Sequence, residues 1–312
     1  MRFLITAIGS MAAGAVIESL RQNYPNCQII GTDIHPKEWL YLSDKVDFFY
    51  KVPKAINTDF IFSILKICSD HEIDLLLPLT DPEVDILSCK KNELEQFSSS
   101  VTLPGDEVVS ICRNKLKLAE VFSDNNLINP IETYSISDVT DINLSYPLVA
   151  KPRKGRSSEG LKYIKSKQEL QTLDENYIIQ DFIEGEIITV DFVRHRDGQI
   201  ASLPRKELIR SANGAGLTVE IFQDKRIEKV VSEVAQKLQI FGCMNVEFIY
   251  NDGEYYLMDI NPRFSAGIGF SRLVGYDFIK NHIRVFVDKE LGPMPKISNT
   301  IAVKHYKEFV TA

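Results

Sequence analysis

Apolar and polar positions along this chain follow two successive rhythms. Residues Phe3 to Ile8 are apolar except for Thr6, then come the small residues Gly9 to Gly14 and an amphipathic stretch to about Asn23. This predicts a buried strand, a turn and a helix. Gln28 to Thr32 predicts a second strand ending at Asp33, a helix covers about Asp59 to His71, and Leu75 to Leu79 predicts a third strand. Strands alternating with helices belong to a doubly wound parallel sheet, expected over residues 1–110.

The rhythm then shortens. A helix is expected near Asn114 to Asn125, with strands at Pro147 to Lys151, Leu161 to Ile164 and Tyr177 to Asp181 around a polar, glycine-containing loop. Beyond Glu186 lie strands at Ile187 to Arg194, Gln199 to Pro204, Val246 to Tyr250 and Tyr255 to Ile260, with a helix at Arg226 to Leu238. Antiparallel pairing suits such closely spaced strands. The expected division is a small subdomain at 111–186 and a larger one at 187–312, with no internal repeat.

Composition narrows the function classes. With 312 residues, 44% of them hydrophobic, the chain can bury the cores of two or three subdomains. A net charge of −7 argues against a surface built for nucleic acid. Five cysteines with no C-x-x-C pair point to a reducing, cytoplasmic compartment. No signal-peptide core is present, and no apolar run approaches the roughly 18 residues of a membrane span.

Candidate chemistry concentrates in three segments. In Asn245-Val246-Glu247 and Asp259-Ile260-Asn261-Pro262-Arg263, separated by a short turn at Asn251-Asp252-Gly253, strand alternation puts Asp259 and Asn261 on one face. A neighbouring strand can bring Glu247 beside them. Such oxygen ligands suit Mg²⁺, or Mn²⁺ in its place, completed by substrate phosphates, and Arg263 on the same side can meet a transferring phosphoryl group. Read singly, Asp259 fits a solvated acidic hairpin equally well. The second segment, Lys151 to Gly160, follows a strand and offers cations, the hydroxyls of Ser157 and Ser158 and the flexible Gly160 to phosphate, without the G-x-x-x-x-G-K-[ST] pattern. The third, Gln180-Asp181-Phe182-Ile183-Glu184-Gly185-Glu186, can present strand-edge backbone groups and apolar walls to an adenine ring, or be a plain strand connection.

These three segments, in this order, resemble the ATP-grasp superfamily, and most of all its branch with carbamoyl phosphate synthetase, biotin carboxylase and the pyrrolysine-biosynthesis ligase. The resemblance covers essentially the whole chain. It implies a doubly wound domain preceding a two-part grasp fold, with ATP and Mg²⁺ bound between the two parts. Carried over residue by residue, it implies that Lys115 and Lys151 touch ATP phosphates, that Gln180 and the backbone of Asp181, Phe182 and Ile183 meet adenine, and that Glu186 meets ribose. It likewise implies metal binding by Glu247, Asp259 and Asn261 and an active-site role for Arg263. Gln180 and Asp259 each stand where the family more often has glutamate.

The implied reaction makes an acyl phosphate from ATP and a carboxylate, then an amide with a small amine or amino acid. Arg205, Lys206 and Arg210, ahead of Asn213-Gly214-Ala215-Gly216, are candidates to surround the acyl phosphate or a substrate carboxylate, and a charged surface strand is the plain alternative. Asp81 and Glu83, after the third expected strand, are candidates to hold a substrate amine. Alternatives are carbamoyl phosphate synthase-like phosphotransfer and a nucleotide-binding regulatory module without turnover. An NAD crevice at Gly9 to Gly14 explains less of the chain, because Met11 stands where G-x-G-x-x-G needs its second glycine. A homodimer is the expected assembly.

Overall fold

The computed structural model describes residues 1–97, 100–140, 144–155 and 159–311. Its opening domain is a five-stranded parallel sheet in the spatial order Phe48–Lys51, Gln28–Asp33, Arg2–Ile5, Leu75–Leu77, Ser100–Val101. The short edge strand Phe48–Lys51, aromatic but largely exposed and without a buried face, escaped the sequence pattern, so Leu75–Leu77 is fourth in the chain, not third. Helices Ala13–Asn23 and Asp59–His71 pack on opposite faces, each by one apolar stripe. The expected doubly wound sheet is therefore present. Helix Asp106–Arg113 runs across position 110 and leads directly into helix Lys115–Phe122, whose Asn114 side chain accepts a hydrogen bond from the Lys117 N–H as its N-cap.

A four-stranded antiparallel sheet follows, ordered Thr133–Ser135, Tyr177–Asp181, Leu148–Pro152, Lys162–Ile164. A seven-stranded sheet then carries the rest, ordered Thr300–Val303, Gly216–Ile221, Ile200–Arg210, Glu186–Arg194, Gly242–Asn251, Glu254–Asn261, Asn129–Pro130. Antiparallel pairing holds throughout these two sheets except at the short Asn129–Pro130 strand. Gly216–Ile221 and Thr300–Val303 were not foreseen, and Ile200–Arg210 runs six residues beyond the expected Pro204, because Lys206, Arg210 and their neighbours mask the alternation.

Helix Lys225–Lys237 presses Ile227, Val230, Val231, Val234 and Ala235 against one face of the seven-stranded sheet, with Asp224 as N-cap. On its other side, Val193, Leu203 and Val219 share one core with Phe3, Ile5 and Val16 of the opening domain and with Ile279 and Ile283 of helix Phe278–Phe286. The four-stranded sheet has a small core of its own, around Leu148, Ala150, Ile164, Leu170 and Ile179.

Candidate functional site

Strand register lays out the floor of the site. Arg205 lies opposite Thr189, Thr189 opposite Glu247, and Glu247 opposite Asp259, so four side chains form one row across four strands. The adjacent row brings Asp191 opposite Asn245 and Asn245 opposite Asn261. Strict alternation from the hairpin tip would not give this result. Tyr255 and Leu257 are buried in the core, and a regular ladder would carry Asp259 to that same face. A β-bulge between Glu247 and Phe248 leaves Met258 as the extra residue, and the two faces exchange at that point.

The rows floor a cleft of about 1010 Å³ that all three sheets border. Gln180 to Gly185, Val149 and Tyr163 line its four-stranded side, and Gly9 to Ala12 and Leu79 to Pro82 line its opening-domain end. Lys115 reaches into it with Nζ 3.7 Å from Asp259 Oδ2 and 3.2 Å from the Gly155 carbonyl. Burial, and then the charge of Lys115, lowers Lys151 to about 8. Two cations thus face two carboxylates across the space. Burial raises Glu247, with the charge of Asp259 adding to it, against the pull of Arg210, whose Nη2 donates to Glu247 Oε1 at 3.2 Å.

Asn261 donates through Nδ2 to Asn245 Oδ1 at 3.1 Å, and Asn245 donates to the Arg263 carbonyl at 3.0 Å. Asn261 Oδ1 is then the atom left for a cation. Among the described residues no group of three or more His, Cys, Asp or Glu could hold a metal alone. Two opposed carboxylates with one amide oxygen fit Mg²⁺, which takes its remaining ligands from phosphates and water.

The guanidinium of Arg263 is fixed by Asp81 of the opening domain: Nε donates to Oδ1 at 2.6 Å and Nη2 to Oδ2 at 2.8 Å. Arg113 donates to the same carboxylate at 2.7 Å. Burial would raise Asp81, but Arg263 and then Arg113 hold it down to about 2. Asp81 is therefore committed to two arginines, and Glu83 is buried with Thr6 and Thr80 donating to its Oε2 at 2.7 Å each. Glu83 is absent from the cleft lining, so neither carboxylate stands ready for a substrate amine.

In the hinge stretch, Gln180 is buried and donates to Thr133 Oγ1 at 2.7 Å, which points its amide along the sheet. Asp181, Phe182 and Ile183 line the cleft, with Phe182 edge-on to Tyr163 at 5.8 Å. Glu186 stands apart from the cleft lining: one residue before the cleft-facing Ile187, it turns to the far face and pairs with Lys206. Glu184 lines the cleft instead. The same alternation separates Lys206 from Arg205, and irregularities in the ladder between Glu207 and Arg210 bring Arg210 to the cleft as well. Gly160 is not itself in the lining, but it turns the chain there, with φ +73° and a Cβ position 2.9 Å from Pro152. Ser157 and Ser158 lie outside the described residues. At the rejected NAD crevice, Asp33 is occupied by the backbone N–H groups of Gly9 at 2.8 Å and His35 at 3.0 Å.

Residues 112–267 match the family model of the ATP-grasp domain. The chain belongs to the ATP-grasp family. Residues 3–102 match the PylC-like N-terminal domain. The chain is similar to the carbamoyl phosphate synthase large chain of Thermoanaerobacter sp. (strain X514), 22% identical over 209 residues, 59% of this chain and 19% of that one. It thus spans about a fifth of the length of that relative. Its fold is similar to the biotin carboxylase domain of Hydrogenobacter thermophilus 2-oxoglutarate carboxylase, with TM-score 0.76, 15% identity and coverage of 93% of this chain and 70% of that one. It is also similar to L-amino acid ligase from Bacillus licheniformis, with TM-score 0.72, 14% identity and coverage of 91% and 74%. The resemblance read from the sequence and the doubly wound-plus-grasp fold are both borne out.

Proposed function

We propose that this ATP-grasp protein is an ADP-forming carboxylate–amine ligase acting on small molecules. The observation that carries the reading is the opposition of Lys115 and Lys151 to Glu247 and Asp259 across one cleft. Two cations suit the phosphates of ATP, and the paired carboxylates with Asn261 suit its Mg²⁺, for which Mn²⁺ can substitute. Bound there, the metal supplies charge neutralisation to the phosphates. The apolar walls from Val149, Tyr163, Phe182 and Ile187 suit adenine, and Glu184, rather than Glu186, is the carboxylate on the ribose side.

A substrate carboxylate oxygen attacks the γ-phosphorus; the new O–P bond forms as the bond to the ADP oxygen breaks. Arg263, aimed by Asp81, and Arg210 hold the oxygens that gain charge. An amine nitrogen then attacks the acyl carbon, the C–O bond to phosphate breaks, the nitrogen loses a proton to the departing phosphate or to water, and an amide and phosphate leave. The four-stranded sheet, with its separate core, serves as the part that closes over the nucleotide and excludes water. The similar fold of the Bacillus licheniformis L-amino acid ligase, and that of the Hydrogenobacter thermophilus biotin carboxylase domain, a dimer in complex with MgADP and bicarbonate, support the nucleotide, the small substrates and a homodimeric assembly. Free thiols at all five cysteines support a reducing, cytoplasmic setting.

The test is ADP and phosphate release with Mg-ATP over a panel of amino acids and small carboxylates, singly and in pairs, for wild type and Asp259→Ala. Release that needs one pair and vanishes in the variant supports the ligase. ATP binding with no release above the variant for any pair favours a regulatory nucleotide-binding module, and bicarbonate-dependent release without an amine favours carbamoyl phosphate synthase-like chemistry.

A further inference from the structure

At the end of the cross-strand row away from Asp259 lies a buried polar cluster that the nucleotide reading leaves unused. The Arg205 guanidinium is enclosed: Nη1 pairs with Asp191, Nε donates to Glu207 Oε1 at 3.1 Å, and Nη2 donates to Ser265 Oγ at 3.1 Å. The carboxylate of Glu207 is only 2% exposed, yet its Oε2 has no hydrogen-bond partner among the described residues. Thr189, the next member of the row and 2% exposed, likewise has an unpartnered Oγ1. Both residues line the cleft, and Thr189 stands between Arg205 and the metal-type ligand Glu247. Buried oxygens left in this condition are costly unless a ligand supplies donors.

We infer that Glu207 Oε2 and Thr189 Oγ1 form the subsite for the amine of the acceptor substrate, a primary amine or ammonium. The inference rests on the ligase reading only for its place in the reaction. The charges of the cluster select this class of ligand. Asp191 and Glu207 are balanced by Arg205 and by Lys304, which donates to the Ala266 carbonyl next to Ser265, so the cluster is neutral and offers little to a second divalent cation. A nitrogen with several N–H bonds matches the free Glu207 oxygen and the Thr189 hydroxyl, whereas Asp191, whose Oδ1 is also unpartnered among the described residues, is absent from the cleft lining. Two glycines let the backbone close on the group: a Cβ on Gly216 would come within 2.0 Å of Glu207 Oε2, and one on Gly267 within 2.9 Å of Arg205 Nη2. A neutral cluster also binds the amine without strongly favouring its protonated form, and only the unprotonated nitrogen has a lone pair for attack.

Methylammonium chloride and tetramethylammonium chloride, at equal ionic strength, are titrated into wild type, Glu207→Gln and Thr189→Val by NMR, with the Mg-ATP Kd measured on each protein. Saturable methylammonium binding, absent for tetramethylammonium and weakened at least about fivefold in both variants while the Mg-ATP Kd stays within about twofold, is the expected result. If the two cations behave alike, or the variants bind methylammonium as wild type does, the subsite is overturned. Should Glu207→Gln lose Mg-ATP binding as well, Thr189→Val decides alone. Wild type that takes methylammonium but not Mg-ATP sinks the ligase reading and leaves the amine subsite standing.

Discussion

Asp81 and Arg263 are 182 residues apart in the chain and meet as a two-bond carboxylate–guanidinium pair across the junction of the opening domain and the seven-stranded sheet. Arg113 closes the bracket from the segment that joins the two. Replacing Asp81 with Asn leaves two largely buried guanidinium groups short of their partner, and a loss of about 3 kcal/mol is expected in chemical denaturation. Turnover should fall roughly tenfold through the loss of aim of Arg263, while the Mg-ATP KM stays within about twofold. A variant that keeps wild-type turnover would show that Arg263 needs no such partner.

With Lys151 on the phosphates as proposed, nucleotide binding is expected to depend on pH. In the free protein it is held down to about 8, and phosphate prefers the charged form. Mg-ATP affinity should therefore fall as pH rises above 8, by about tenfold per unit until the bound form also titrates. Ligand-free stability moves the opposite way: the folded state binds fewer protons than the unfolded one between about 8 and 10.5, so this group adds stability as pH rises through that window. Lys151→Met should bind Mg-ATP weakly with a flatter profile, as isothermal titration at pH 7 and 9 can check.

Glu83 gives a stability signature of its own. Burial raises it from 4.5 to about 7 despite the donated Thr80 and Thr6 hydroxyls. Its folded pKa exceeds the unfolded one, so its contribution is fully present below 4.5 and lost as pH climbs to about 7. That amounts to about 3 kcal/mol. Glu83→Gln cannot ionise, so its stability relative to wild type should improve by about that amount between pH 4 and pH 8 in urea denaturation. A pH-independent difference would mean the carboxyl does not change protonation there.

Gly185 tests the hinge. A Cβ there would lie 2.5 Å from the Tyr250 carbonyl oxygen and 2.7 Å from Ile249 Cγ2, so the connection after Asp181 touches the seven-stranded sheet with no room to spare. Gly185→Ala should cost about 1–3 kcal/mol of stability and weaken Mg-ATP binding, whereas Gly198→Ala, with open space around its Cβ, should leave Mg-ATP binding unchanged.

How far the sequence could be read depended on whether a signal was local. The alternating strands and helices of the opening domain are written in apolar runs, and Lys115, Lys151, Glu247, Asp259 and Asn261 do meet in one cleft. The bulge at Met258 had a trace in the spacing of Tyr255, Leu257 and Ile260, which breaks strict alternation, but such a break fits several registers. Glu186 and Glu184 look alike in sequence, and only the pairing of Ile187 with Ile249 decides which one faces the cleft. Thr189 and Glu207 carry no motif. Their importance lies in what surrounds them after folding, as does the capture of Asp81 by Arg263 and Arg113.

The distribution of the cores makes this molecule a vise with one anchored jaw. The opening domain and the seven-stranded sheet grip each other through a common interior, so the Leu79–Pro82 end of the cleft and the row of Glu247 and Asp259 keep a fixed distance. The four-stranded plate has only its own small interior to hold it in shape. Exchanges at positions such as Leu148, Ala150 or Leu170 therefore act on the stiffness of that plate alone, while the spacing across the seven-stranded sheet stays untouched.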